Sequence, residues 1–347
     1  MTMMRAAFLT GHGGNEVVEI GERPVPARAA GEALVRVRGA GLNRVDLYMR
    51  DSGAGITHRL PQIMGLDGAG EVVEVDAGER RLKPGQKVVI HPALGCGRCE
   101  FCQRGEHILC TSAQYIGEHR DGTLCEYVSV PVINLFPMPA GYDFVEAAAL
   151  SAAPITAWRM VFTKAQVKPQ DTVLIFGIGG GVSLSALAFV KMIGARAFVT
   201  SRDPDKRARA LALGADAALD STGADTASQV LELTGGRGAD VVIENVGEAV
   251  WPIALRALVR GGRIVTCGAT SGDQPSADLR RMFIRQLQVL GSTHGTFGEF
   301  RDMLEVCARG LFRPQIDTRF PLADLHAALD RLSASTQFGK IGIDLPA

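Results

Sequence analysis

The chain has 347 residues, and this length predicts two domains because a single hydrophobic core stops growing near ~250–300 residues. Hydrophobic residues make up 46% and charged residues 21%, which is ordinary for a soluble globular protein. Basic and acidic residues number 37 each, so the charge balance favours neither nucleic acid nor an anionic membrane as a partner.

One uncharged segment, residues 172–190, is long enough to be weighed as a membrane span. Glycine and serine cluster in its middle and β-branched residues lead into it, which favours a strand, a glycine turn and a buried helix instead. The N-terminus carries no apolar run of signal-peptide length. We therefore expect a cytoplasmic protein, in which seven cysteines are metal ligands and free thiols rather than disulfides.

Residues 1–152 contain short alternating runs separated by glycine, proline and Asp-Gly turns. Examples are EALVRVRGAG at 32–41 and GEVVEV at 70–75. Many short strands with such turns are typical of an antiparallel barrel or sandwich. The tail, residues 293–347, returns to this mixed character, and we expect it to pack on the first domain.

Four cysteines stand close together in a lobe at residues 91–112, with the spacing C-x2-C-x2-C-x7-C. Four thiolates from one short loop can close a tetrahedron around Zn²⁺ and leave no position for water or substrate. The run lacks the ending of a bacterial iron–sulfur motif. The sequence therefore predicts one structural zinc, bound by Cys96, Cys99, Cys102 and Cys110.

Residues 153–292 alternate strands with helical patterns, which predicts a doubly wound parallel sheet. A glycine turn, Gly177 with Gly179, Gly180 and Gly181, stands between a buried strand and a helix predicted over 181–193. Bare backbone N–H groups at a helix N-terminus suit a dinucleotide pyrophosphate. The turn departs from the usual fingerprint at Val182, where a glycine is expected.

The next strand ends in Thr200, Ser201 and Arg202, where the adenosine ribose of a dinucleotide is expected. A hydroxyl followed by a guanidinium suits a 2′-phosphate and predicts NADP(H), unless Arg202 is only a solvated surface residue. Asp203 is one position too late for the ribose, and it is able to cap the helix that begins at Pro204.

A barrel-like first domain, a four-cysteine lobe and a nucleotide domain together resemble the medium-chain dehydrogenase/reductase superfamily of zinc alcohol dehydrogenases and quinone oxidoreductases. The resemblance covers essentially the whole chain and implies a GroES-like domain, 1–152 with 293–347, joined to a Rossmann domain, 153–292. It also implies a homodimer, or a tetramer of dimers, paired through the strand at 287–294. Beyond the glycine turn, Ser201 and Arg202, it assigns further cofactor contacts to Thr156, Asn245, Gly268, Ala269 and Ser292.

Zinc alcohol dehydrogenases carry a second, catalytic zinc, and the resemblance places its ligands at Asn43, after Gly65 and at Ala152. Leu66 stands where the family's histidine is expected. Leucine and alanine cannot ligate zinc, and asparagine is a poor ligand for it. The sequence therefore predicts that the metal stabilises the fold and takes no part in the chemistry.

The segment NRVDLYMRDSG at 43–53 resembles the quinone oxidoreductase branch instead. This implies hydride transfer from NADPH to a quinone or an α,β-unsaturated carbonyl, acceptors that delocalise the developing charge themselves. Asn43 and Tyr48 would hydrogen-bond the substrate or the cofactor ribose, and Tyr48 or water would deliver the proton. Asp46 either takes part in catalysis or only orients a neighbouring arginine.

Two rival functions remain open. One is an alcohol or aldehyde dehydrogenase whose catalytic zinc is held by other ligands, for instance His91 or His119. The other is a non-catalytic NADPH-binding protein. Several residues near the expected cleft also have a structural interpretation, in which Asp67 pairs with a basic side chain and the remaining ones are satisfied histidines or buried thiols: His91, His119, His294, Cys125, Cys267 and Cys307.

Overall fold

The structure is a computed structural model that describes residues 2–222 and 225–346. It divides into two compact units, residues 1–155 with 296–347 and residues 156–295. The second unit is thus an insertion in the first. Both boundaries between the two units lie three residues later in the chain than the expected 153–292.

The described residues form eighteen strands. In chain order they are β1 (Met3–Leu9), β2 (Val18–Pro24), β3 (Glu32–Gly41), β4 (Gln62–Ile63), β5 (Asp67–Glu74), β6 (Lys87–Ile90), β7 (Ala93–Leu94), β8 (Gln114–Tyr115), β9 (Tyr127–Pro131), β10 (Leu135–Pro137), β11 (Thr172–Ile175), β12 (Arg196–Ser201), β13 (Ala217–Asp220), β14 (Ala239–Glu244), β15 (Leu258–Thr266), β16 (Gln288–Gly291), β17 (Ile316–Pro321) and β18 (Lys340–Asp344).

Eleven α-helices accompany these strands in the same described ranges. They are α1 (Arg44–Ser52), α2 (Glu100–Gln103), α3 (Phe144–Ala148), α4 (Ala153–Trp158), α5 (Gly181–Ile193), α6 (Pro204–Ala212), α7 (Thr226–Leu233), α8 (Trp251–Ala257), α9 (Leu279–Arg285), α10 (Phe297–Ala308) and α11 (Leu325–Ser333). A π-helical segment, Arg159–Lys164, continues α4.

The first unit is built on a seven-stranded sheet in the order β10-β6-β5-β3-β18-β17, with β9 also paired to β3. All of these pairs are antiparallel except β17 with β18. A three-stranded sheet, β2-β1-β4, packs with it around one core that includes Val35, Val88 and Ile343. The C-terminal strand β18 lies beside β3, so the chain's tail completes the first unit as expected.

The second unit is a six-stranded parallel sheet in the order β13-β12-β11-β14-β15-β16. Its central strands are buried runs such as β11, in which all four residues are buried. This is typical of a sheet with helices on both faces. The strand order reverses between β11 and β14, and ligands bind at the carboxyl ends of strands at such a switch point.

No helix of the described ranges has both the length and the apolar composition to cross a membrane. The uncharged segment 172–190 instead forms β11, a glycine turn and the first part of α5, as the sequence pattern indicated.

Candidate active site

The glycine turn of the second unit connects β11 to α5. Gly177 has φ +68° and Gly179 has φ +130°, a region that side chains disfavour. Gly180 is the N-cap of the thirteen-residue helix α5, so Gly181 and Val182 form its first turn. The Gly177 N–H donates to Thr200 Oγ1 at 3.2 Å, which ties the turn to the end of β12. The uncapped N-terminus offers free N–H donors to an anion.

The end of β12 presents the residues that were expected at the ribose. Ser201 is buried, and its Oγ accepts the N–H of Asp203 at 3.1 Å. Arg202 is exposed and has no hydrogen bond or ion pair with any residue that the structure describes. Asp203 caps α6 by accepting the N–H groups of Asp205 and Lys206, as the sequence predicted. Asp203 is therefore engaged in the helix, and Arg202 is available to a ligand.

The other cofactor positions of the second unit lie at the ends of β14, β15 and β16. Asn245 Nδ2 donates to the hydroxyl of Ser183 in α5 at 2.9 Å. Gly268 lies against the backbone of Asn245, where a Cβ would be 3.1 Å from the Asn245 carbonyl oxygen. Ser292 is held by its N–H, which donates to Thr266 at 2.9 Å. Ala269 lies in the loop that follows β15. Thr156 lies in α4 and is the first residue of the second unit.

The four predicted metal ligands come together in the first unit. The Sγ atoms of Cys96, Cys99, Cys102 and Cys110 all lie within 4.8 Å of one another. Tetrahedral zinc with Zn–S bonds of ~2.3 Å needs S–S separations of about 3.8 Å, so the cluster fits the ion. Backbone N–H groups lower the pKa of Cys96 to about 6, which favours a thiolate ligand.

Of the three positions that correspond to catalytic zinc ligands, Asn43 is bonded to an ammonium group and Ala152 contacts the carboxylate that pairs with it. Lys340 Nζ lies 2.7 Å from Asp67 Oδ2 and 2.6 Å from both Asn43 Oδ1 and the Leu42 carbonyl oxygen. The Ala152 N–H donates a hydrogen bond to Asp67 and lowers its pKa. Burial has the larger effect and raises the pKa of Asp67 overall. Lys340 is 4% exposed and Asp67 is not exposed. Asp67 is therefore the partner of a basic side chain, as its structural interpretation predicted.

Asp46 fixes the N-terminus of α1 beside this ion pair. Its carboxylate accepts the N–H of Asn43 at 2.7 Å and also the N–H of Gly65. The expectation that Asp46 might only orient an arginine is wrong, because Arg50 instead contacts Asp51 at 2.7 Å and Asn15. Asp46 positions the backbone of Asn43. It is fully buried, and desolvation raises its pKa to about 7.

Tyr48 lies on α1, one turn after Asn43. Its side chain is 38% exposed, and its hydroxyl has no hydrogen-bond partner in residues 2–222 or 225–346. Partial burial raises its pKa, so the hydroxyl remains protonated at neutral pH. Asn43 and Tyr48 thus lie on one helix end, and a ligand is able to reach the Tyr48 hydroxyl.

Comparison with known proteins settles the family. Residues 29–140 match the family model described as an alcohol dehydrogenase GroES-like domain, and residues 181–309 match that of a zinc-binding dehydrogenase. An alcohol dehydrogenase from Geobacillus stearothermophilus is 30% identical over 95% of this chain and 96% of its own. The chain belongs to the medium-chain dehydrogenase/reductase superfamily. The predicted GroES-like and Rossmann folds are thereby confirmed.

Two solved structures are similar to this chain over nearly its whole length. One is described as an NAD-dependent alcohol dehydrogenase, 39% identical with a TM-score of 0.95, and the match covers 99% of this chain and 100% of the other. The other is a 2-octenoyl-CoA carboxylase reductase in complex with NADP and 2-octenoyl-CoA. It is 27% identical with a TM-score of 0.91, over 99% of this chain and 88% of the other.

The histidines that were weighed as alternative zinc ligands belong to no group of three or more potential metal ligands in the described residues. His91 is fully buried against the rings of His107, Phe297 and Phe300. His119 uses Nδ1 to accept the N–H of Tyr115 at 3.2 Å. The four cysteines are the only group of three or more potential ligands in the described part of the chain.

His294, Cys125 and Cys307 are also buried, and Cys267 is half-buried. His294 is 6% exposed and lies in the second unit. Burial raises the pKa of Cys125, of Cys267 to about 12 and of Cys307 to about 11. These thiols are therefore protonated and unreactive at neutral pH, as their structural interpretation predicted.

Two residues at this site were missed from the sequence. Lys340 lies in the segment FGKIGIDL at 338–345, and no role was predicted for it from the sequence. Glu118 was not singled out, although an acidic residue in the turn YIGEHRDG, between two strands, was a usable signal. Glu118 is 9% exposed, and burial together with the charge of Asp46 raises its pKa to about 7.

Proposed function

We propose that this protein is an NADPH-dependent oxidoreductase that transfers hydride to a conjugated acceptor, a quinone or an α,β-unsaturated carbonyl, without a catalytic metal. The observation that carries the proposal is the ammonium group of Lys340. It is bonded to Asn43, which stands at the position of one catalytic zinc ligand, and to Asp67, which follows the position of another, Leu66. Leu66 and Ala152 supply no ligand there.

The chemistry follows from what this site offers to a developing negative charge. A zinc ion polarises a simple ketone by several kcal/mol, whereas neutral hydrogen-bond donors contribute less. A conjugated acceptor spreads the charge over its own enolate or phenolate and needs less help from the protein. The similar structure with bound 2-octenoyl-CoA, an α,β-unsaturated thioester, supports this acceptor class.

The proposed cofactor is NADP(H). Arg202 is exposed beside Ser201 and is not engaged by Asp203, so it is available to a 2′-phosphate. The similar structure that contains NADP supports this choice, and the one described as NAD-dependent supports the alternative. A reduced nicotinamide would supply the hydride, and the glycine turn with α5 would hold the pyrophosphate.

The proposed metal is one structural zinc at the four cysteines. The thiolate set is complete without a water or substrate position. None of residues 95–106 is buried, so this lobe has little apolar core of its own and a metal would supply its rigidity.

We also propose that the protein is a homodimer through the outer edge of β16. This strand ends the sheet and leaves its backbone groups unpaired on one side. Val289 on the strand is 39% exposed, and Phe283 on the preceding α9 is 70% exposed. A twofold partner would pair the strand with its copy and cover these side chains.

Oxidation of NADPH with four acceptors tests the proposal: a quinone, a cyclic enone, an unsaturated aldehyde and a saturated ketone. We expect turnover with the conjugated acceptors alone. Rapid turnover of the saturated ketone would favour the alternative, a zinc-dependent alcohol dehydrogenase. Cofactor binding without turnover of any acceptor would favour a non-catalytic NADPH-binding protein.

The cofactor preference is tested with Arg202→Ala. We expect KM for NADPH to rise at least about 10-fold and KM for NADH to stay within about twofold, since a charge-assisted bond is worth about 1.5–3 kcal/mol. The matched control is Arg209→Ala in α6. An equal effect of Arg202→Ala on both cofactors would contradict the assignment.

A further inference from the structure

The carboxyl group of Glu118 has no hydrogen bond or ion pair with any residue that the structure describes, although the residue is only 9% exposed. Buried carboxyl groups are normally hydrogen-bonded or paired with a cation. A carboxyl that retains some exposure and lacks a protein partner is available to a bound molecule.

Glu118 lies directly beside the site built around Asn43. The turn that carries it is packed on Gly65, where a Cβ at Gly117 would clash with the Gly65 carbonyl. The N–H of the same Gly65 donates to Asp46. The Glu118 turn and the N-terminus of α1 are therefore held by one backbone residue, adjacent to Leu66.

The cations of the neighbouring segments are committed to other carboxylates. Arg120, two residues on, binds Glu32 at 3.0 Å, and Lys340 binds Asp67 at 2.7 Å. Asp46 is the nearby charged group that acts on Glu118, and its sign is negative. The surroundings therefore favour the neutral, proton-bearing form of Glu118.

The nearby histidines do not neutralise Glu118 either. His119 is turned back on its own loop, where its Nδ1 accepts from Tyr115. Burial, together with His58, lowers the pKa of His119, so its ring is neutral at physiological pH. No cationic imidazole therefore favours ionisation of the neighbouring carboxyl group.

We infer that Glu118 is the acid that protonates the α-carbon of a reduced enone, an assignment that rests on the proposed function. The β-carbon of the acceptor gains the hydride, the C=C electron pair moves to the carbonyl as an enolate, and the nicotinamide is oxidised. The Glu118 O–H bond then breaks as the new C–H bond forms. Solvent returns the proton to the carboxylate, which balances the cycle.

The other candidate donors are less well placed for this step. Asp46 already accepts two backbone N–H groups, which hold its carboxylate against α1 and the Gly65 segment. Tyr48 has a raised pKa and is the weaker acid. Asn43 presents only an amide. Glu118 alone among these four combines acidity with an unengaged carboxyl group.

The test is Glu118→Gln with two acceptors, 2-methylcyclohex-2-enone and a benzoquinone. Reduction of the enone creates a stereocentre at the protonated carbon. We expect kcat for the enone to fall about 100-fold, as loss of a general acid does, and the single product enantiomer to become a mixture. The quinone product is a phenolate that water protonates, so kcat for the quinone should stay within about threefold.

Glu118→Asp should restore part of the enone rate and selectivity. Glu19→Gln, an exposed carboxyl on β2, is the matched control that should change nothing. Unchanged enone rate and stereochemistry in Glu118→Gln would overturn the proposal, as would an equal loss with both acceptors. If Glu118→Gln does not fold, the wild-type enone rate should still fall above neutral pH while the quinone rate does not. Wild-type inactivity with both acceptors would instead overturn the proposed function, and the proton-donor role with it.

Discussion

Lys340 and Asp67 form an ion pair that is almost completely removed from solvent, at the centre of the proposed active site. Desolvating two charges is expensive, and the pair compensates for this only because Asn43 and the Leu42 carbonyl complete the hydrogen bonds of the ammonium. The single residue Lys340 thereby orients the amide of Asn43. Loss of the Lys340 side chain should therefore lower the stability of the fold and release the amide of Asn43.

Lys340→Met should lower the free energy of unfolding at pH 8 by about 3–5 kcal/mol, because Asp67 remains buried without its counter-ion. The loss should be smaller at pH 5, since burial raises the pKa of Asp67 and protonation then removes the unpaired charge. Urea unfolding at both pH values measures this. Adding Asp67→Asn should recover much of the loss, and no recovery would contradict the ion-pair explanation. Arg256→Met, which breaks an exposed pair, should cost less than about 1 kcal/mol.

Glu118 should make stability depend on pH in a defined direction. Its folded pKa, raised to about 7, lies above the unfolded value. Its contribution is therefore fully present below the unfolded pKa and is lost as pH rises through 7. Glu118→Gln cannot ionise, so its stability relative to wild type should increase by about 1–3 kcal/mol between pH 5 and pH 8. If the free energies of unfolding of Glu118→Gln and wild type changed equally with pH, this prediction would be contradicted. For the control Glu19→Gln, the free energy of unfolding should change with pH as it does for wild type.

At the scale of elements, helix caps and the cysteine cluster hold short segments that have no large apolar core of their own. Asp46 closes the N-terminus of α1 and Asp203 that of α6, each through backbone N–H groups. The cysteine lobe lacks buried residues over 95–106, so its loops have almost no apolar driving force. Its rigidity therefore depends on what the thiolates bind.

The purified protein should contain one zinc per chain by atomic absorption. Cys99→Ser should lose the ion and lower Tm by on the order of 5–10 °C, because the lobe loses its cross-link. Cys307→Ser, a buried thiol outside the cluster, should keep the zinc. Two zinc ions per chain would contradict metal-independent hydride transfer and would favour the alcohol dehydrogenase alternative.

At the scale of the whole molecule, the second unit leaves β16 and α9 without a covering layer. Leu279, Phe283 and Ile284 on α9 are all at least 48% exposed. Large exposed apolar side chains next to an unpaired strand edge are typical of an interface. The second copy of the chain is the partner that we propose.

Val289→Lys combined with Phe283→Glu should convert the proposed dimer to a monomer in sedimentation velocity. A buried lysine and glutamate on each copy would cost several kcal/mol at the interface. Ile133→Lys, an exposed apolar residue of the first unit, should leave the dimer intact. A wild-type monomer at micromolar concentration would contradict the assembly.

Local signals in the sequence determined most elements of the second unit. The glycine turn and the predicted helix 181–193 coincide with the structure, and so does the cap at Asp203, because these features depend on residues a few positions apart. The strand at 32–41 was found for the same reason. The helix α8 ends at Ala257, since Leu258 already pairs in the sheet. The strand β13 and the helix α7 carried no strong pattern and were not predicted.

The sequence by itself also determined the metal cluster and the missing zinc ligands, because those depend only on residue type and spacing. Only the tertiary structure decided what replaces the zinc. Lys340 meets Asn43 across 297 positions of chain, and no periodicity encodes such a contact. The acidity of Glu118 was equally hidden, since the pKa of a carboxyl depends on its desolvation and on charges from distant segments such as Asp46.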